Sequence, residues 1–304
     1  MAVDAFFLIG LMMALGYAFG RWRLLPANSA EALNQFALNV CLPAAVLRFA
    51  SQLSLNSDLL ALVAVPWLLL AASVPIVALI ARLLKLDDSE RAVLLLCIPL
   101  GNTSFLGYPL VEAFLGKPGL PFAVAYDQFG SFVALSTYGL WVLARYAGSE
   151  QPSVTSVARK MLRFPPFLAL IVAITVFPAH PPAVIANLLE RLSDALLPIV
   201  TLAIGLQLKF KVPARERAPL ALGLTTKLLV LPALALLLCW LFGMDALMRN
   251  AVVLEAAMAP MITASALAIS HRLAPGLAAA MIGFGIPASL LSLLGWRALL
   301  NTLS

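Results

Sequence analysis

Residues 91–116 read RAVLLLCIPLGNTSFLGYPLVEAFLG, an apolar segment long enough to cross a membrane but interrupted near its middle. Pro99 removes one backbone hydrogen bond and Gly101 loosens the chain, and Pro109 interrupts the helix a second time. At about 1.5 Å of rise per residue, the stretch from Pro99 to Asn102 lies roughly 12–17 Å from the end of the segment, near the bilayer centre. The sequence therefore predicts a broken membrane helix with polar residues at the break.

A second segment repeats this plan. Residues 252–270 read VVLEAAMAPMITASALAIS, where Pro260 precedes hydroxyl side chains. Backbone groups left unpaired at this depth cost several kcal/mol each unless they face protein or a watery cavity. Packing explains a single proline kink, but two breaks in corresponding places favour a binding site between half-helix ends. The predicted substrate-binding residues at the breaks are Asn102, Thr103, Thr263 and Ser265.

Composition places the whole chain in a membrane. Of 304 residues, 62% are hydrophobic and only 11% are charged, which is too much apolar surface for a soluble core. The net charge of +6 comes from short basic clusters between apolar runs, which argues against a nucleic-acid partner. The three cysteines are scattered within apolar runs and predict neither a disulfide framework nor a metal site. The first apolar run is expected to be a span and not a signal peptide.

Ten apolar segments are long enough to cross the bilayer. They lie at 3–20, 29–50, 59–82, 91–115, 121–145, 164–179, 184–208, 217–242, 246–271 and 275–300. With the N-terminus outside, the inner loops hold 14 of the 20 Lys and Arg residues and the outer loops hold four. The positive-inside rule therefore predicts that both termini are extracytoplasmic.

The polar stretch 148–163 divides the spans five and five, so the second half must enter the membrane from the opposite side. Weak similarities support an inverted repeat: Phe129-Gly130 matches Phe284-Gly285 and Trp141 matches Trp296, each at a shift of 155 residues. We expect residues 1–147 to form the first five-helix repeat, 148–163 a cytoplasmic linker, and 164–304 the second, inverted repeat.

Four motifs resemble those of the auxin efflux carrier (PIN-like) family, in its bacterial permease type. They are GNTSFLGYPLVEAFLG at 101–116, LNVCLPAAVL at 38–47, KLLVLPAL at 227–234 and the LExxMxP pattern at 254–260. The resemblance runs over essentially the whole chain. It implies that spans four and nine cross at Pro99, Gly101 and Pro260. It also implies a scaffold of spans 1, 2, 6 and 7 and a moving transport domain of spans 3–5 and 8–10. Bacterial members resemble permeases for malate, malonate and similar carboxylates, and plant members carry auxin.

Three ionisable residues within spans are candidates for function, because charges at membrane depth are costly and by default face an interior pathway. Burial disfavours the charged form of a carboxylate, so Asp127 or Glu255 could carry a coupling proton, or Asp127 could bind sodium. Lys227, near the middle of span eight, could neutralise a bound anion. The alternative for Lys227 and Glu255 is a salt bridge that holds helices together.

The predicted function is secondary active transport of a small organic anion, a carboxylate, by alternating access across the bacterial cytoplasmic (inner) membrane. The alternative is a membrane-embedded metabolite sensor or receptor with the same fold. The sequence contains no nucleotide-binding or hydrolase motif, so we expect no enzyme, no cofactor and no metal site. The expected partners are the substrate and the lipid bilayer, with a possible homodimer.

Overall fold

The structure is a computed structural model that describes residues 2–26, 28–53, 57–148, 153–208 and 212–303. These residues are predominantly helical, and within them extended backbone pairs only at an isolated antiparallel bridge between Gly101 and Pro260. The predicted all-α class is therefore confirmed.

Short helices follow one another where prolines and glycines interrupt longer ones. The α-helices of the first half are α1 (Ala2–Trp22), α2 (Ser29–Phe36), α3 (Leu42–Ala50), α4 (Ser57–Leu84), α5 (Asp88–Cys97), α6 (Tyr108–Leu115), α7 (Leu120–Ala125), α8 (Phe132–Ala134) and α9 (Leu140–Ala147). Those of the second half are α10 (Val154–Leu162), α11 (Pro165–Thr175), α12 (Ala183–Asp194), α13 (Leu196–Gln207), α14 (Arg217–Thr225), α15 (Leu231–Leu241), α16 (Ala246–Ala256), α17 (Ile262–Ser270) and α18 (Pro275–Thr302). The π-helical turns that join several of these are Ala37–Cys41, Thr103–Gly107, Tyr126–Ser131, Leu135–Gly139 and Thr226–Val230.

Several helices are long and apolar enough to cross a bilayer. Among the described residues they are Ser29–Ala50, Asp58–Leu84, Ala214–Leu241 and Pro275–Thr302. Of the other predicted crossings, the first is the single helix α1, and those at 91–115 and 246–271 are divided at the predicted proline breaks. Large apolar side chains such as Leu60, Leu83 and Leu291 point outward and are about 70% exposed, as lipid-facing residues would be. The count of ten spans stays a prediction.

One group of helices packs closely through small residues. Helix α1 packs along α13, while α3 packs on α11 and α12. A Cβ atom added to Gly16 would lie 2.3 Å from the carbonyl oxygen of Leu202, and one added to Gly205 would lie 2.3 Å from that of Met13. The backbones of α1 and α13 therefore touch, which is how membrane helices associate when side chains are small.

A second group surrounds the two broken segments. Helix α15 packs on α16 and α4, α17 packs on α18 and α5, and α5 packs on α9. Fewer contacts join this group to the first, and these run mainly between α3 and α7 and from α13 to the turn Thr103–Gly107. The broken segments thus lie within the second group of helices, and their polar breaks lie close to the first group.

The predicted linker 148–163 is not a plain loop, because α10 lies within it. Val154, Val157 and Leu162 recur at helical spacing, although the polar residues between them suggested a loop. The hydroxyl of Ser153 accepts the backbone N–H of Ser156 and so satisfies one donor of the first turn. Residues 149–152 of the linker lie outside the described part of the chain.

Candidate functional site

Both predicted helix breaks interrupt their helices at corresponding places. Helix α5 ends at Cys97, and helical structure resumes at Thr103. Helix α16 ends at Ala256, and α17 begins at Ile262. Each gap is five residues long, and each contains one of the two prolines, Pro99 or Pro260. Proline explains both gaps, since it has no backbone N–H to donate and its ring obstructs the preceding turn.

The two gaps pair with each other. The backbone N–H of Asn102 donates to the carbonyl of Ala259 at 2.8 Å, and that of Met261 donates to the carbonyl of Leu100 at 2.9 Å. These bonds form the antiparallel bridge between Gly101 and Pro260. Backbone groups within the two gaps are thereby satisfied by protein, as membrane depth requires.

Two helix N-termini begin directly after this bridge. The segment that continues from the turn Thr103–Gly107 into α6 has Asn102 as its N-cap, and α17 has Met261. Neither N-cap side chain bonds to its helix. The first N–H groups of an uncapped helix are free to bind a ligand, and they carry partial positive charge.

A cavity of about 290 Å³ opens at these two N-termini. Its walls include residues from both breaks and from the predicted fifth and second spans. They are Leu38, Leu42, Gly101, Asn102, Thr103, Ser104, Phe105, Asp127, Phe132, Leu135, Ser136, Phe164, Met261, Ile262, Thr263 and Leu267. Polar groups cluster at the crossover, while leucine and phenylalanine side chains form most of the remaining wall. The side-chain nitrogen of Asn102 is buried there and has no hydrogen-bond acceptor in the described part of the protein.

Asp127 lies at the polar end of the cavity within a complete set of hydrogen bonds. One carboxylate oxygen accepts the hydroxyls of Thr103 at 2.5 Å and Ser104 at 2.7 Å. The other accepts the hydroxyl of Tyr108 and the amide of Gln128, each at 2.8 Å. Asp127 is buried, and these four donors satisfy both oxygens of its carboxyl group.

Of the residues predicted to bind substrate, Asn102, Thr103 and Thr263 line this cavity, together with Asp127. Ser265 does not, because its hydroxyl donates to the carbonyl of Ala278 at 2.6 Å and ties α17 to α18. Ser265 instead lines a second cavity, beside Gln207 and Ile269, and its role in substrate binding stays a prediction.

Lys227 and Glu255 lie behind the crossover and outside the cavity lining. The ammonium of Lys227 donates to the carbonyl of Ala256 at 3.2 Å. The Glu255 carboxylate packs on Gly107, and neither of its oxygens has a hydrogen-bond partner among the described residues. The alternative of a Lys227–Glu255 salt bridge is wrong, since the described structure has no such pair within 4.0 Å.

Sequence reasoning missed Ser104 and Tyr108 as partners of Asp127. Both belong to the quoted fourth-span motif, and their separation of four residues places them on one helix face. That spacing was a usable signal, but Asp127 lies 23 and 19 residues further along the chain, and nothing in the sequence between them indicates the contact.

The chain matches the model of the membrane transport protein family over residues 1–297. It belongs to this family, the auxin efflux carriers. An uncharacterized transporter of Methanothermobacter thermautotrophicus is 28% identical over 294 residues, which cover 95% of each chain. An uncharacterized transporter of Methanocaldococcus jannaschii is 27% identical over 269 residues, which cover 84% of this chain and 85% of the relative. The expected family membership is confirmed, and this auxin efflux carrier family protein is an integral membrane transporter.

Proposed function

We propose that this carrier is a secondary active transporter that moves a small organic anion by alternating access around the crossover. The observation that carries the proposal is the meeting of two uncapped helix N-termini with the unpaired Asn102 amide in one cavity. Helix N-termini and amide N–H groups are donors, and together they suit a carboxylate.

Asp127 is compatible with a bound anion when its carboxyl group carries a proton, because two carboxylates at short range repel each other. Thr263 adds a hydroxyl from the opposite N-terminus. A bound carboxylate would thus lie between the starts of two half-helices, with Asn102 and Thr263 on its two sides. Lys227 contributes positive potential from behind the crossover and does not reach the ligand.

The body of the substrate is expected to be apolar. Leu38, Leu42, Phe132, Leu135 and Phe164 form the wall away from the crossover. A second carboxylate, as in malate or malonate, would meet this apolar wall and lose its hydration without compensation. The cavity therefore favours a compact carboxylate with one charged end and one apolar end.

Alternating access would move the second packed group, spans 3–5 and 8–10, against the first, spans 1, 2, 6 and 7. The separate packing of these groups supports such a division. The inverted repeat of 1–147 and 164–304 is supported by the matched breaks and by the aspartates that cap the helices before them. The Asp87 side chain accepts the N–H of Glu90, and the Asp245 side chain accepts that of Leu247.

The cavity reaches Phe164, beside the basic residues Arg159 and Arg163 of the linker region. Under the positive-inside rule this is the cytoplasmic side, so we propose that the structure represents an inward-facing state with both termini outside the inner membrane. Coupling would use a proton on Asp127 or Glu255. Hydroxyls can donate or accept, so Thr103, Ser104 and Tyr108 could serve either protonation state of Asp127.

The decisive experiment is flux in proteoliposomes. Labelled carboxylates with apolar and with polar bodies would be tested, with matched amines as controls, and pH and sodium gradients would be imposed separately. We expect exchange of an apolar-bodied carboxylate and none of the amines. Binding without flux would support the sensor alternative, and preferred transport of amines would contradict the proposed anion site.

Asn102→Ala tests the location of the site. Loss of a hydrogen bond to a charged group costs about 1.5–3 kcal/mol, so the dissociation constant should rise about 10- to 150-fold. Asn39→Ala is the matched control, because the Asn39 amide bonds Gln35 and does not line the cavity. Unchanged binding by Asn102→Ala in a folded protein would remove the site from the crossover.

A further inference from the structure

Lys227 lies where two helices end inside the membrane. It is carried by the turn Thr226–Val230, and only 2% of the residue is exposed. Its ammonium bonds the carbonyl of Ala256, the last residue of α16. A Cβ atom added to Gly101 would lie 3.0 Å from the ammonium, so Lys227 also touches the gap that follows α5.

The C-terminal end of a helix carries partial negative charge, and broken membrane helices commonly use such ends to bind a cation. The corresponding ends of α5 and α16 both lie at the crossover. Among the buried residues described, Lys227 supplies the positive charge at this place, since the other buried cation, Arg249, bonds the carbonyl of Leu303. The ammonium thus occupies a position suited to a cation.

Glu255 adds a carboxylate to the crossover, next to Gly107. It is fully buried, and both of its oxygens lack a hydrogen-bond partner among the described residues. Asp127, by contrast, has four donors. The groups that face Glu255 are Gly107 at contact distance, with Lys227, Asp127, Tyr108 and Tyr126 nearby. Carbonyls at the C-terminal ends of broken helices can coordinate sodium, and a carboxylate whose oxygens have no donor attracts a cation to the same region.

We propose that the Lys227 ammonium is a built-in counter-cation that replaces a sodium ion at the facing ends of α5 and α16. This proposal rests on the proposed function in one respect, which is that the crossover is the centre of transport. Because the cation is part of the chain, the wild-type carrier needs no sodium at this position. Removal of the ammonium leaves the Ala256 carbonyl and the Glu255 carboxylate as a site that sodium can enter.

The test is thermal unfolding of purified protein in sodium chloride and in choline chloride at equal ionic strength. Wild type should unfold at the same temperature in both salts. Lys227→Ala should unfold several degrees lower in choline and recover most of that loss in sodium. Lys227→Ala combined with Glu255→Ala should show no sodium effect. Lys117→Ala is the matched control, because this exposed lysine pairs with Glu190 and should give no sodium response.

A purely structural role for Lys227 predicts a loss of stability that is equal in both salts, and that result would overturn the proposal. If Lys227→Ala cannot be purified, the same comparison of salts is made with Lys227→Gln. If neither variant can be purified in sodium or in choline, the proposal is also contradicted. Unfolding requires no substrate, so failure of the exchange assay and failure of this proposal are separate outcomes.

Discussion

At the scale of single residues, the Asp127 cluster shows how a buried carboxyl group is made compatible with a membrane interior. Two hydroxyls bond one carboxylate oxygen, and a phenol and an amide bond the other. Three of these four partners are hydroxyls, which can reverse the direction of a hydrogen bond when a proton arrives. The predicted neighbours Gln128 and Ser131 supply only one of the four bonds.

Asp127→Asn should keep the fold and substrate exchange but stop accumulation driven by a pH gradient. The Asn amide can donate to the hydroxyls of Thr103 and Ser104, while its oxygen still accepts Tyr108 and Gln128. The variant is therefore locked in a neutral form, and its amide still has hydrogen-bond partners in the cluster. Flux in proteoliposomes would measure exchange and accumulation separately. Continued accumulation by the variant would move the coupling proton to Glu255, and wild-type flux that follows a sodium gradient would contradict proton coupling.

At the scale of the broken elements, two glycines make the crossover possible. Gly107 faces the Glu255 carboxylate, and Gly101 faces the Lys227 ammonium, so each buried charge packs on a residue without a side chain. Both glycines lie on the fourth-span segment, and both charges come from the second half. At the crossover, glycines of the first half of the chain therefore pack against charged side chains of the second half.

Gly107→Ala should destabilise the carrier by about 1–3 kcal/mol, as overpacking usually does. The new Cβ atom would lie 2.4 and 2.6 Å from the carboxylate oxygens of Glu255, which are fully buried and cannot swing into solvent. Thermal unfolding measures the loss, and Gly10→Ala is the control because no heavy atom lies within 4 Å of its added Cβ. In a double-mutant cycle, Glu255→Ala should remove most of the cost. Strictly additive effects would show that the predicted clash is absent.

At the scale of the whole molecule, ion pairs group the loops by membrane side. Arg215 donates to Asp87 at 3.0 Å and to Glu90 at 3.3 Å, so the loops before α5 and α14 lie together. Arg48 and Lys117 both pair with Glu190, at 2.6 and 2.5 Å, and join α3, α12 and the loop after α6. Both groupings agree with the predicted topology, which places the first set inside and the second outside.

Cysteine labelling tests that topology. A cysteine at Phe242 should react with an impermeant thiol reagent added outside, and cysteines at Asp88 and Ala214 should not. All three positions are exposed, whereas the native thiols Cys41, Cys97 and Cys239 are buried and give little background. The predicted outer loop at residue 55 lies outside the described residues, so the outer probe is placed at 242. The reverse labelling pattern would invert the model and place both termini in the cytoplasm.

The sequence alone was sufficient for the membrane class, the family and both helix breaks. Each of these depends on local or summed properties: apolar length, charge bias, and prolines whose effect on a helix does not depend on what surrounds them. For the same reason it correctly indicated Asn102, Thr103 and Thr263 as residues at the break, and Asp127 as a buried acid.

Only the tertiary structure decided which polar groups meet. It places the hydroxyls of Thr103, Ser104 and Tyr108 around Asp127. The Ser265 hydroxyl bonds a backbone carbonyl of α18. Lys227 and Glu255 lie behind the crossover and outside the cavity. These contacts join segments that are distant in sequence, and their partners are set by helix rotation and crossing geometry. The composition of an apolar helix carries little information about its rotation or its crossing angle. Lipid and neighbouring helices are alike in polarity, so an apolar face can contact either of them.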